Sequence, residues 1–185
     1  MRIFTRWNLG MTLLVVVAVT ASADSGRKVE VTDDCAPNAD WGDGGCLRES
    51  GSVTRAEFNA ANANGFPGHP AWRIVSPYEA AQNQSDIRAQ NTGGRGHTFT
   101  KVELFGGGFV PPLNPAGVIL APECATVTPT GAIVPGPGAL ATMLAPGGEL
   151  RVEGLAPGTH NFQCCIHPWM RTTVKVAGSE APQQH

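Results

Sequence analysis

Residues 160 to 176, HNFQCCIHPWMRTTVKV, constrain this chain more than any other stretch. They set a thiol, an imidazole and a thioether on one short loop between two runs with strand-like alternation, Thr159–Cys165 and Thr172–Val176. Side chains on a strand alternate faces, so Cys164 shares a face with Phe162 and His160 while Cys165 points the other way. With Phe162 in the core, Cys164 points inward as well. Cys164 also opens a C-x-x-H spacing, which leaves two residues for the chain to turn before His167 comes back. Cys164, His167 and Met170 are therefore candidate metal donors. With one more imidazole they make a His2Cys set with a weak axial methionine, the combination that suits a copper ion changing oxidation state. A structural zinc site would instead draw four Cys or His ligands.

The rest of the chain reads as all-β. Gly and Pro are frequent, and short Val/Thr/Leu alternations recur between turn signals. Strands are expected over residues 72–75, 85–91, 98–105 and 149–155. Between Gly106 and Gly148 the chain is rich in Gly, Pro and Ala, too long for an ordinary connection. His97 and Phe99 should face inward, yet Val102 and Leu104 fall in the opposite phase. That conflict predicts a β-bulge near Thr100.

The N-terminus has the order of a secretory leader. Arg2 and Arg6 precede an apolar run from Leu9 to Val19, followed by Ala21-Ser22-Ala23. The run is shorter than the roughly 20 residues a membrane-spanning helix needs, so residues 1–23 are read as a signal peptide. Loss of Arg2 and Arg6 leaves 11 basic against 15 acidic side chains, a net charge of −4 with neutral histidines. A nucleic-acid partner would favour a basic surface. Residues 24–70 read as an N-terminal extension with little apolar content. Thr54-Arg-Ala-Glu57 is a capping box that predicts a short helix over residues 55–62, with Phe58 as its main apolar contact. Residues 71–178 form the main domain, and 179–185 a flexible tail.

Five cysteines in a secreted chain imply disulfides with one thiol left over. With Cys164 committed to metal, Cys35, Cys46, Cys124 and Cys165 allow three pairings. Closeness favours Cys35–Cys46. Elimination then leaves Cys124–Cys165, which would pin the 106–148 insertion against the outer side of the Cys164 strand.

The string Cys164-x-x-His167-Pro-x-Met170-Arg, preceded by Phe162 and followed by Val174-x-Val176, resembles the copper loop of the amicyanins. These are the short-loop branch of the plastocyanin/azurin family of cupredoxins. The resemblance implies a Greek-key β-sandwich of about eight strands binding one type 1 (blue) copper ion. It also implies the missing imidazole. In that family the first ligand follows an Asn-ended strand and a short loop, which Asn91-Thr-Gly-Gly-Arg-Gly-His97 matches, so His97 joins Cys164, His167 and Met170. Thr98 stands where the family has an asparagine tying the two ligand loops together. Ile166 stands where a proline is frequent. Its N–H is expected to add a second N–H···S contact to Cys164.

His69, His160 and His185 lack ligand spacing. Without a His-x-His pair, a Ser/His/Asp set or paired carboxylates, the chain reads as a non-enzymatic one-electron carrier, secreted to the periplasm or outside the cell. The competing reading is copper buffering or delivery. A redox protein docking near Pro168 and Trp169 is the expected partner, since aromatics are enriched where proteins meet.

Overall fold

Val29 and Val31 alternate with Lys28, Glu30 and Thr32, and this period of two gives strand β1 (Arg27–Thr32) one fully buried apolar face. The structure, a computed structural model, describes residues 27–63, 67–76 and 86–178. The expected leader (1–23) and tail (179–185) lie outside them. After β1 come helix α1 (Arg55–Ala61), β2 (Arg73–Val75), β3 (Ile87–Asn91), β4 (His97–Thr98) and β5 (Thr100–Val102). The chain continues through β6 (Ala125–Val127), β7 (Ile133–Pro135), α2 (Pro137–Ala141), β8 (Met143–Leu144), β9 (Glu149–Val152), β10 (Gly158–Gln163) and β11 (Arg171–Val176).

The expected all-β architecture is present as two main sheets. One has the order β2-β1-β3-β9, with β1 parallel to β3 and the other pairs antiparallel. The other is antiparallel, in the order β11-β10-β5. Val29, Val31, Ile87 and Ala89 from the first sheet and Phe162, Val174 and Val176 from the second share one hydrophobic core. This is the packing of a sandwich. Phe99 and Phe162 stack at its centre, ring centroids 4.5 Å apart and planes within 6°.

Two features differ from the sequence expectations. β1, which falls among the residues read as an N-terminal extension, lies between β2 and β3 inside a main sheet. Two buried valines on a six-residue strand suffice for that place, although their polar neighbours hide them in the composition. The strand expected over 98–105 is also interrupted, at Phe99, and not by a bulge. β4 pairs with β8, whereas β5 pairs with β10, so the chain changes sheets there. The phase itself does not change: Phe99 faces the main core, whereas Val102 on the alternate face packs with Cys165, and the Thr98 and Thr100 hydroxyls bond each other on that same face.

The 106–148 segment, too long for an ordinary connection, has structure of its own. It holds the β6–β7 hairpin, α2 and β8, and its Ala121, Cys124 and Ala139 form a second core with Val102 and Cys165. Gly108 passes so close to the Cys164 loop that a Cβ there would lie 1.8 Å from the Cys165 carbonyl oxygen. The Phe109 N–H donates to that same oxygen at 3.0 Å. Both disulfides favoured from the sequence are formed, Cys35–Cys46 and Cys124–Cys165, and Cys164 is a free, buried thiol.

Candidate metal centre

Strand β10 delivers Phe162 and Cys164 to the core side, as alternation requires, while Cys165 turns into the second core. The loop beyond closes on itself. The Cys164 N–H donates to the Met170 carbonyl at 3.0 Å, and the Met170 N–H to the His167 carbonyl at 2.9 Å. This tight turn carries His167 back toward the sulfur and sends Met170, 1% exposed, into the same buried cluster as Cys164. His97 arrives from the other direction on β4, held opposite Leu144 of β8. Thr98 ties the two loops together: its hydroxyl accepts the Cys165 N–H at 2.7 Å and its own N–H points at the Cys164 sulfur at 3.4 Å. The position where the resembling family has asparagine thus keeps a tie, made by a hydroxyl.

The donor atoms converge. Cys164 Sγ lies 3.8 Å from His97 Nδ1 and 3.6 Å from His167 Nδ1, and all three donors fall within 4.8 Å of one another. Metal–nitrogen and metal–sulfur bonds of about 2.0 and 2.3 Å that open at a trigonal angle separate nitrogen from sulfur by about 3.7 Å. The three side chains are therefore spaced to hold one transition-metal ion. A single thiolate with two imidazoles is a donor set that favours copper over a structural zinc.

The electrostatics of the metal-free chain differ on the two sides of the sulfur. Burial pushes the Cys164 thiol up, but hydrogen bonds and charge from His167 and His97 outweigh it, leaving the group well below the ordinary thiol range. His167 is lowered, chiefly by burial, with the Cys164 thiolate opposing. His97 is equally desolvated, yet it is raised to about 9 by its hydrogen bonds to Asp33 and Cys164. Asp33 accounts for the difference. It is 1% exposed, and its Oδ2 accepts from His97 Nε2 at 2.8 Å. Burial pushes Asp33 up as well, but His97 and the Arg95 and Cys35 N–H groups bring it down to about 2.

Around His167 the neighbours are aromatic. Trp169, Phe58 and Trp72 place their ring centroids 5.4, 6.1 and 6.4 Å from the imidazole. Phe58 comes from α1, whose capping box forms as expected, with the Glu57 N–H on the Thr54 hydroxyl and the Thr54 N–H on the Glu57 carboxylate. The N-terminal segment therefore covers the ligand edge, and His167 is 6% exposed. Pro168 is buried and Trp169 half-buried.

His97, Cys164 and His167 come together as expected from the sequence, with Met170 on the same loop. His160 bonds the Ala156 carbonyl at 2.7 Å, and His69 packs edge-on against Trp72. His185 lies outside the described residues. The second N–H···S contact expected from Ile166 is not formed. Among the described residues only the Thr98 N–H reaches the Cys164 sulfur, because the loop turns through the Cys164–Met170 and Met170–His167 backbone bonds instead. Asp33 went unforeseen, although it is the third member of the inward series Val29, Val31, Asp33.

No family model matches this sequence, and no curated protein matches it. Among solved structures it is similar to a purple cupredoxin from Nitrosopumilus maritimus, at 11% identity and a TM-score of 0.38. That match covers 82% of this chain and 99% of the other.

Proposed function

We propose that this chain is a one-electron carrier holding a single type 1 copper ion through His97, Cys164, His167 and Met170. The observation that carries the reading is the buried convergence of one thiol and two imidazoles, with spacing that fits one ion. When bound, copper supplies a one-electron couple whose two oxidation states are both served by this mixed donor set. The protein's part is to hold the donors still and dry. The closed turn from Cys164 to Met170 fixes the loop, the Thr98 hydroxyl fixes its distance from β4, and the aromatic cover keeps water from His167. Donors that barely move on a change of charge suit repeated oxidation and reduction. The same burial disfavours handing the ion to another protein, as buffering or delivery would require.

Two disulfides fit an oxidising compartment, and with the leader-like N-terminus they support a protein secreted to the periplasm or beyond. No helix among the described residues is long and apolar enough to cross a membrane. A redox protein is the partner we propose, docking where Trp169 keeps part of its surface, since Pro168 is buried.

Loading the metal-free protein with Cu(II) tests the reading. An intense thiolate-to-copper band in the visible spectrum, bleached by one electron equivalent, is the expected result. A protein that binds copper only as colourless Cu(I) supports buffering or delivery, and one that takes up no copper overturns the metal reading.

A further inference from the structure

We infer that Asp33 is a positioning residue for the metal centre, fixing the tautomer and aim of His97 and biasing bound copper toward Cu(II). The inference rests on the copper reading above and assigns part of that site to a residue of the segment that the sequence alone places outside the main domain. Asp33 directly follows β1 and accepts four hydrogen bonds. Its Oδ1 takes the N–H groups of Cys35 and Gly94 at 3.1 and 3.2 Å. Its Oδ2 takes the Arg95 N–H at 2.9 Å and His97 Nε2 at 2.8 Å. Three of the four donors are backbone groups, so the carboxylate cannot rotate without abandoning them. Among the described residues no lysine or arginine side chain pairs with it. Arg48 bonds its backbone carbonyl and the Asp34 carboxylate instead.

Two consequences follow from this geometry. A carboxylate only accepts hydrogen bonds, so it requires the proton of His97 on Nε2 and leaves the Nδ1 lone pair facing Cys164. The loop is built around this contact. A Cβ on Gly93 would lie 2.2 Å from Asp33 Oδ2, and one on Gly94 would strike the Cys35 and Cys46 sulfurs. The second consequence concerns charge. Cys164 and Asp33 together bring two negative charges to a centre whose three donors are all buried. That centre is neutral with Cu(II) and carries one net negative charge with Cu(I), and burial disfavours the charged form. Reduction adds one electron, supplied by an electrode or a redox protein, and moves no proton.

The test compares copper-loaded wild-type and Asp33→Asn proteins, which differ in charge at nearly constant shape. In the variant the visible band should persist. Its Cu(I)-to-Cu(II) ratio at a fixed potential should rise about tenfold, a midpoint shift of about +59 mV for a one-electron couple. A midpoint that is unchanged or lower, with the band intact, overturns the inference. Should the variant not fold, nitrogen-15 NMR of wild-type Cu(I) protein decides alone. The expected signal is a slowly exchanging proton on His97 Nε2 and none on Nδ1, and a protonated Nδ1 overturns the inference. Wild-type protein that takes up no copper overturns the copper reading itself, before any substitution is made.

Discussion

His97 and His167 face the same sulfur at nearly equal distances, yet the protein surrounds them with opposite materials. His97 is held by hydrogen bonds, through Asp33 and the backbone groups that fix it. His167 is held by rings, those of Phe58, Trp72 and Trp169. A hydrogen-bonded carboxylate fixes a ring's tautomer and adds charge, whereas an aromatic cover adds exclusion of water and no charge. The comparison teaches that one donor pair can be divided between two tasks. The His97 side sets the electronic balance of the site, and the His167 side sets its access. Both sides draw on the N-terminal segment, through the end of β1 on one and α1 on the other.

The largest effect should come from removing what the two sides share. Cys164→Ser should abolish the visible band completely. Cys165→Ser should keep it while costing about 2–5 kcal/mol through loss of its disulfide. A band that survives the first substitution and not the second would reassign the sulfur.

Next comes the aromatic side. Phe58→Ala should destabilise the protein by about 3–5 kcal/mol, the usual cost of truncating a buried ring. It should also speed removal of copper by a chelator, with little movement of the midpoint potential. A large potential shift without faster extraction would mean that the rings tune the centre and do not guard it.

Gly93→Ala attacks the other side without replacing Asp33 or His97. Its Cβ would fall 2.2 Å from Asp33 Oδ2, so the carboxylate must move. Forced overpacking of this kind costs about 1–3 kcal/mol. Voltammetry should show the midpoint rising in the same direction as for Asp33→Asn, while chelator extraction stays near the wild-type rate. A falling midpoint would separate the loop's position from the charge it carries.

The smallest effect tests how firmly α1 seats its ring. Thr54→Ala removes the hydroxyl half of the capping box, worth about 1 kcal/mol. Thermal unfolding should register that loss, with a slight rise in extraction rate and no change in potential. An unchanged stability would mean that the seven-residue helix is held by Phe58 alone.

The sequence by itself determined that Cys164 and His167 converge from one short loop. Alternation chose Cys164 over Cys165, the C-x-x-H spacing brought His167 back, and the odd cysteine count isolated one thiol. All of these are consequences of local geometry, legible because neighbours in sequence stay neighbours in space. His97 lay further away and was found through a motif resemblance, and Thr98 kept its tie with a different functional group. The all-β class and the α1 cap were equally local. Tertiary structure decided the rest. Whether β1 is an appendage or a central strand depends on which strands find it, and two valines carry too little pattern to say. The change of sheet at Phe99 depends on β8 and β10 arriving from residues far along the chain. Asp33 reaches His97 across 64 residues, and Phe58 reaches His167 across a still longer separation. A carboxylate and an aromatic ring carry no mark in the sequence of the imidazoles they will meet, because folding alone sets that distance.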